Sequence, residues 1–272
     1  MRNFYLYSLI AFLSFFLRLS AQTFADATFK CTYKLTYIGN PENDARRTSD
    51  FMVLEFGPSS SVFYSYNTFR VDSALQADID KGISSTQILA EKAKYGKRGM
   101  LYHIFKDANS KKITVTEKIV TDHYLYQEPL HTQKWSIQTD KDSILGYVVQ
   151  KAVCSFGGRE FEAWFTPEIA IDNGPWKFGG LPGLILKVED SKKHFSFELT
   201  GFQKMVNPAP VAIVPQKYIK LSKADFLKLQ ERYIKRPHDF IKNQMSIEVK
   251  PMNDAARESA KRVRPYNPIE WN

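Results

Sequence analysis

The sequence predicts a mainly β protein with an antiparallel sheet that is strongly curved, barrel-like or bowl-like, and with one or two helices packed on it. Three observations favour this fold class. Apolar and polar residues alternate with a period of two in several segments. Short strand-like segments succeed one another with turn residues between them, without the strand–helix alternation of parallel sheets. Aromatic residues make up 14% of the chain, and they favour strands.

The first predicted elements are strands followed by a helix. Thr28–Ile38 alternates, with Phe29 and Tyr33 in one phase and Lys30 and Lys34 in the other, which is typical of a half-buried strand. The elements predicted next are strands at Phe51–Phe56 and Ser61–Tyr66, then a helical stretch at Ser85–Tyr95, with a loop carrying one short helix as the alternative. A hairpin of Met100–Lys106 with Lys112–Val120 follows.

Glycines mark the clearest hairpin of the second half. Gly157 and Gly158 separate two β-rich runs, Ile144–Phe156 and Arg159–Thr166, and supply the positive φ that tight turns need. The other predictions are strands at Thr121–Leu130, Gln133–Gln138, Leu184–Asp190 and His194–Phe202, a turn at Asp140–Ser143, a proline-rich connector at Asn207–Pro215, a helix capped by Ser222 and ended by Pro237, and a short helix at Asn253–Arg262.

The N-terminal segment has the parts of an export signal. Arg2 precedes an apolar run, Phe4–Leu17, and the small residues Ser20 and Ala21 stand at the expected cleavage point before Gln22. The run is too short to span a bilayer comfortably. We therefore expect residues 1–21 to be a signal peptide and residues 22–272 to form a single β-rich domain. The expected location is the periplasm, the outer membrane or the medium.

The charge of the chain limits its partners. Lysine and arginine number 38 against 29 acidic residues, a net charge of +9. An exported chain without a nucleic-acid motif is not expected to bind nucleic acid. The basic excess is either a solvated surface or a peripheral face toward an acidic membrane or envelope polymer. We expect membrane contact only through the signal peptide or this basic face.

A glycine-rich segment precedes the strand Leu184–Asp190. Its end, Leu181 to Leu184, fits a type II β-turn, with proline at the second position and glycine at the third. The spacing is neither a dinucleotide-binding fingerprint nor a Walker loop, so a phosphate site is not predicted. A tight turn into a buried strand is the expected structure.

This segment contains Gly180–Ile185, "GLPGLI", the namesake motif of the GLPGLI family of exported Gram-negative envelope proteins. The block Ile144–Asp190 is similar to that family's core nearly throughout, and Tyr124–Ile137 and Asn267–Glu270 also match. The resemblance covers most of the chain after the export signal. It implies export and a mainly β fold, but it identifies neither a reaction nor catalytic residues. The core also resembles bowl-shaped β domains of some secreted enzymes.

Aromatic residues near the glycines suggest a binding groove. Such a groove would be concave and mostly apolar, with Arg159 as a partner for an anion. The alternative is that Trp176 and Phe178 fill the core. The residues of the predicted groove are Arg159, Trp164, Trp176, Phe178, Gly180 and Pro182.

Other chemistry has weaker support in the sequence. Cys31 and Cys154 form either a disulfide or two buried thiols. No local metal motif is present, and a site of His123, His131 and Glu128 would require convergence in space. No nucleophile motif occurs, and a hydrolase would have to use carboxylates such as Asp172 and Glu189.

The sequence therefore predicts an exported, non-catalytic binding or assembly module, without cofactor or metal. Its expected partner is a hydrophobic or peptide-like ligand or an envelope protein. A carboxylate-dependent hydrolase and a purely structural protein are the alternatives.

Overall fold

A computed structural model describes residues 22–43, 45–245 and 253–271. The expected signal peptide lies outside the described residues. The strands are β1 (Gln22–Ile38), β2 (Arg47–Phe56), β3 (Ser60–Ser65), β4 (Tyr102–Asp107), β5 (Lys112–Ile119), β6 (Asp122–Pro129), β7 (Ser136–Ile144), β8 (Tyr147–Phe156), β9 (Arg159–Thr166), β10 (Leu184–Asp190), β11 (Phe195–Ile213) and β12 (Ile219–Lys220). The helices are α1 (Tyr66–Asp80), α2 (Ser85–Ala90), α3 (Lys223–Lys235), α4 (Pro237–Met245) and α5 (Asp254–Lys261), with a 3-10 helix at Lys92–Tyr95. No described helix is long and apolar enough to cross a bilayer.

All twelve described strands belong to one sheet, which confirms the mainly β class. Their order is β12-β6-β5-β4-β3-β2-β1-β11-β10-β9-β8-β7. Described neighbours pair antiparallel, except for the parallel pair of β12 with β6. The sheet is open, because neither β12 nor β7 pairs with a further described strand. The barrel-like alternative is therefore wrong.

Turn chemistry explains both a correct and a wrong hairpin prediction. Gly157 and Gly158 have φ of 56° and 75° and join β8 to β9 as expected. The turn predicted at Asp140–Ser143 is wrong, because β7 runs through it. The chain reverses instead at Leu145 and Gly146, with φ of 52° and 85°. Two positive φ values match the twist of a two-residue hairpin. Glycine adopts a positive φ easily, so Gly146 determines where the turn forms.

The expected proline-rich connector is also wrong. β11 continues to Ile213, and Asp26 and Ala27 of β1 face Pro210 and Ala209. On its other side β11 pairs with β10 only over Ser196–Glu198. The prolines therefore lie where one edge of the strand is unpaired, and a missing N–H is tolerated there.

Helix α1 was not predicted from the sequence. It begins after Ser65, whose side chain accepts a hydrogen bond from the Thr68 N–H, as an N-cap does. Only Thr68 and Val71 of this helix are buried, so it lacks a clear apolar stripe. By contrast, α3 has the predicted N-cap, Ser222, and buries Phe226 against the sheet.

One face of the sheet carries a continuous core. It runs from Tyr126 on β6 through Leu35 on β1 to Phe161 on β9. Cys31 and Cys154 are buried free thiols in this core. The disulfide alternative is wrong, because their strands, β1 and β8, are separated by three others. Burial raises the pKa of each thiol to about 12, so neither is a reactive nucleophile.

Candidate functional site

The glycine-rich segment between β9 and β10 packs its aromatic side chains into the core. Trp176 is 3% exposed and Phe178 is fully buried. The Phe178 ring centroid lies 4.8 Å from that of Phe161 and 5.2 Å from that of Trp176. Trp176 and Phe178 therefore fill the core, which was the alternative to a groove. The hairpin that follows is formed by β10 and β11 as predicted.

The six residues of the predicted groove do not share one surface. Trp164 is half-buried on the side of β9 opposite the core, where its indole N–H donates to Glu162. Gly180 and Pro182 are exposed, whereas Arg159 is buried. The structure brings together only Trp176 and Phe178 from this set.

A buried lysine holds the glycine-rich segment in place. Lys106 of β4 donates from Nζ to Asn173 Oδ1 at 3.0 Å, to the Gly174 carbonyl at 2.9 Å and to the Phe178 carbonyl at 2.5 Å. Burial lowers its pKa to about 7, and the charge of Asp172 acts in the opposite direction. This contact joins β4 to a segment that packs against the far half of the sheet.

A second anchor is a network of four charges. Lys177 Nζ lies 2.5 Å from Glu128 Oε1 and 2.5 Å from Glu270 Oε2. Lys223 of α3 contacts the same two carboxylates, at 2.7 Å from Glu128 Oε2. Two cations and two anions therefore balance, and they join β6, the glycine-rich segment, α3 and the segment 265–271.

Arg159 fixes the segment 265–271 to the sheet. Its guanidinium donates to Asp190 Oδ2 at 2.9 Å, to the Pro268 carbonyl and to Asn267 Oδ1. The Gly157 carbonyl accepts from the Trp271 N–H at 2.8 Å, and a Cβ at Gly157 would lie 2.8 Å from Glu270. Arg159 thus makes four hydrogen bonds within the protein, and its charge is paired with Asp190, so it is not a free anion partner.

These anchors border a partly open cavity of about 270 Å³ against the core face of the sheet. Its walls come from the strands, from α3, from the segment 265–271 and from the loop before β4. The lining is mostly apolar, and eight of its side chains are aromatic. The aromatic lining residues are Tyr37, Tyr102, Tyr126, Trp176, Phe195, Phe197, Phe226 and Tyr266.

Glu117 of β5 lies in this cavity. It faces Tyr102 on β4 and Tyr124 on β6 in the strand register. Gln230 of α3 donates to both of its carboxylate oxygens, at 3.2 and 3.0 Å. Burial raises the pKa of Glu117 to about 7, although the Gln230 hydrogen bond and the charge of Lys177 act in the opposite direction. A carboxyl group that titrates near neutrality in a cavity marks a candidate functional site.

The carboxylates and histidines considered from the sequence do not form such a site. Asp172 accepts from the Gly180 N–H and lies near His131 at the surface. Glu189 pairs with Lys187 at 3.4 Å. Neither acid lines the cavity. The described residues contain no cluster of metal-ligating side chains, so His123 does not converge with the others.

Substitution of Glu117 by glutamine should stabilise the protein at pH 8 and not at pH 4.5. In the folded state the carboxyl keeps its proton up to about pH 7, whereas the ordinary value is 4.5. The stability contributed by the folded-state proton is therefore lost as the pH rises through 7. The gain in unfolding free energy at pH 8 should approach about 3 kcal/mol, since each pKa unit corresponds to about 1.4 kcal/mol. Equal gains at both pH values in chemical denaturation would contradict the assignment.

A signal for these residues is present in the sequence. Glu117 follows Ile113 and Val115 at alternate positions and so shares their apolar phase on β5. Glu128 follows Tyr124 and Tyr126 in the same way on β6. A charged residue in the apolar phase of a strand must find a partner or a cavity. Lys177 and Gln230 carry no comparable signal, because one lies in an irregular segment and the other on a helix.

Comparisons with known proteins agree with the fold and do not identify an activity. A family model described as a protein of unknown function (Porph_ging) matches residues 156–187, from the end of β8 into β10. This is consistent with an uncharacterised family, although the match does not carry the GLPGLI name. No curated protein matches the chain.

Solved structures with a similar fold include two of PNGF-II. One, in space group P21, has a TM-score of 0.52 at 12% identity and covers 75% of this chain and 33% of PNGF-II. The other, in space group C2, has a TM-score of 0.50 at 14% identity, with 75% and 32% covered. The chain thus spans about a third of the length of PNGF-II, and at this identity the likeness is one of fold.

Proposed function

We propose that this protein is a binding module that holds a small ligand with an apolar body in the cavity around Glu117. The observation that carries the proposal is the aromatic lining of a 270 Å³ cavity that contains one carboxyl group. Mostly apolar cavities with a few polar groups are typical of ligand sites, and this one lies just below their usual range of about 300–1,000 Å³, which suits a small ligand. Export to the envelope, proposed from the sequence, would place the ligand outside the cytoplasm.

We further propose that the sheet curves into a bowl around this cavity. Lys223 Nζ lies 2.7 Å from Glu128 on β6 and 5.8 Å from the ring centroid of Phe156 on β8. Nine strand spacings separate β6 from β8 in the sheet order. In a flat sheet this would amount to roughly 43 Å, at about 4.8 Å per spacing. A single lysine reaches both strands, and this supports strong curvature.

The loop before β4 supplies an accessible part of the wall. Leu101 lines the cavity and is 36% exposed. The neighbouring Met100 N–H donates to Asp50 at 2.8 Å, and Ser65 and Asn67 also donate to this buried carboxylate. The loop is thereby fixed, and we place the entrance at Leu101.

Filling the entrance tests the proposal. Leu101→Trp should reduce the affinity for N-phenyl-1-naphthylamine, a neutral apolar fluorophore, by about tenfold or more, because the larger ring occupies the cavity mouth. Leu89→Trp is the matched control, since Leu89 is 68% exposed on α2 and does not line the cavity. Fluorescence titration measures both variants.

The proposal fails if the wild-type protein does not bind the fluorophore, or if both tryptophan variants bind it as the wild type does. The first result would favour a purely structural protein. A hydrolase using Asp172 and Glu189 has less support, because these residues do not share a cleft. Glu189 lies on the face of β10 that carries Lys187, and Asp172 belongs to the glycine-rich segment.

A further inference from the structure

The charges around the cavity leave one acid without a counter-ion. Three charged residues line it, namely Glu117, Lys177 and Glu270. Lys177 is already paired with Glu270 and Glu128, and Lys223 completes that neutral network. Among the described residues, Glu117 forms no salt bridge, and its carboxylate is hydrogen-bonded by the neutral amide of Gln230. The empty part of the cavity therefore adjoins a carboxylate that lacks a cation.

The hydrogen bonding of Glu117 is incomplete as well. Gln230 Nε2 is the donor to its two oxygens within the described chain. A carboxylate offers about four acceptor positions. Tyr102 and Tyr124 stand opposite Glu117 on the two neighbouring strands, and the carboxylate itself lines the cavity, so further N–H donors can approach it from the cavity side.

The surroundings of Glu117 favour positive charge. Tyr102 and Tyr126 line the same space, and aromatic faces attract cations. The pKa of Tyr102 is raised well above its ordinary value, first by burial and then by the negative charges of Asp50 and Glu117. Asp50 itself is buried and held by three neutral donors. An anionic ligand would meet the Glu117 carboxylate here, and the cation of Lys177 is already shared by Glu128 and Glu270.

We propose that the cavity binds a protonated amine with an apolar body, whose ammonium group pairs with Glu117. The inference rests on the proposed function and names its ligand class. The ammonium N–H groups donate to the carboxylate beside the Gln230 contact. The apolar part packs on Leu35, Val115 and Phe226, which line the same cavity.

The test uses ligands that share one chain and differ in the head group. Octylammonium, octanol and octanoate compete at pH 8 for bound N-phenyl-1-naphthylamine on the full-length protein. Octylammonium should bind about 10- to 100-fold more tightly than octanol, as expected for a hydrogen bond to a charged group. Equal affinities, or tighter binding of octanoate, would overturn the inference.

Glu117→Gln is the matched variant, since it keeps the shape and an acceptor for Gln230. It should lower octylammonium affinity to that of octanol, and retained binding of the uncharged N-phenyl-1-naphthylamine reports an intact cavity. If Glu117→Gln retains the preference for octylammonium, the ammonium site is wrong. If no probe binds the wild type at all, the proposed function fails with it, so the two failures are distinguishable.

The pH dependence gives an independent readout. Octylammonium stays charged between pH 5 and 8, whereas Glu117 has a pKa of about 7. Its affinity should fall about tenfold per pH unit below 7, because the carboxyl must lose a proton to bind. The other groups facing Glu117 are Tyr102, Tyr124, Tyr126, Lys177, Gln230 and Tyr266. A pH dependence that persists in Glu117→Gln would assign the effect to another group and overturn the inference.

An alkylamine and a peptide amine share this chemistry. Leucyl-leucinamide, tested at pH 7, is the probe for a peptide amine. Displacement by both probes, lost in Glu117→Gln, supports a general ammonium site that accepts peptide termini. Displacement by octylammonium alone supports an alkylamine ligand.

Discussion

Replacing Phe178 by alanine is expected to lower the unfolding free energy by about 3–5 kcal/mol, the range for large aromatic side chains in a core. The ring is fully buried. It contacts five other aromatic rings, those of Trp135, Phe156, Phe161, Trp176 and Phe197. The glycine-rich segment cannot collapse into the vacated space easily, because the Lys106 ammonium holds the Phe178 carbonyl. Equilibrium denaturation measures the loss.

Phe51→Ala is the control for this prediction. Phe51 lies on β2 and is 49% exposed, so its truncation should change stability by about 0.5 kcal/mol or less. Comparable losses in the two variants would show that the aromatic cluster around Phe178 is not the centre of the core.

Lys177→Met should lower the unfolding free energy by about 3–5 kcal/mol, as expected when one partner of a buried ion pair is removed. The Lys177 side chain is 3% exposed, and its partners Glu128 and Glu270 are 8% and 4% exposed. Methionine matches the stem but leaves two buried carboxylates to Lys223, which is 31% exposed. Loss of the ammonium also removes its contacts with the Tyr126 and Trp176 rings.

The double variant Lys177→Met with Glu270→Gln separates charge from packing. Removing one carboxylate leaves Lys223 and Glu128 as a single balanced pair. The double variant should therefore be more stable than the sum of the two single effects implies, by more than about 1 kcal/mol. Simple additivity in denaturant titrations would mean that the four charges do not act as one network.

Local patterns predicted the strands because each strand buries one face. The alternation in β1 and the two glycines before β9 are patterns of about ten residues or fewer. The strand Thr28–Ile38 lies within β1, and the turn at Gly157 and Gly158 is present. The turn at Leu145 and Gly146 was misplaced because polar residues of β7 resemble a turn. They are exposed on an edge strand, where charges are common.

Local sequence patterns do not predict the cavity. Its walls join Tyr37, Glu117, Trp176, Gln230 and Tyr266, which come from five parts of the chain with no common spacing. Trp176 was identified from its glycine-rich surroundings, and it does line the cavity while its ring packs into the core. Glu117 had a readable signal in its apolar phase, but the sequence alone does not show that a cavity faces it.

The pairing of β1 with β11 has a consequence for how the protein folds. The Thr200 hydroxyl donates to the Thr32 carbonyl, 168 positions away in the sequence. These two central strands pair over most of their length. Pairing of such distant segments is slow, because the entropy cost of closing the loop between them comes before the stabilising contacts form. The β2–β3 hairpin can form early because its strands are close in sequence. Until β11 pairs with β1, the other side of β1 is an unpaired edge, and such edges promote association between chains. A polypeptide delivered from its N-terminus therefore depends on being kept from self-association until its second half arrives.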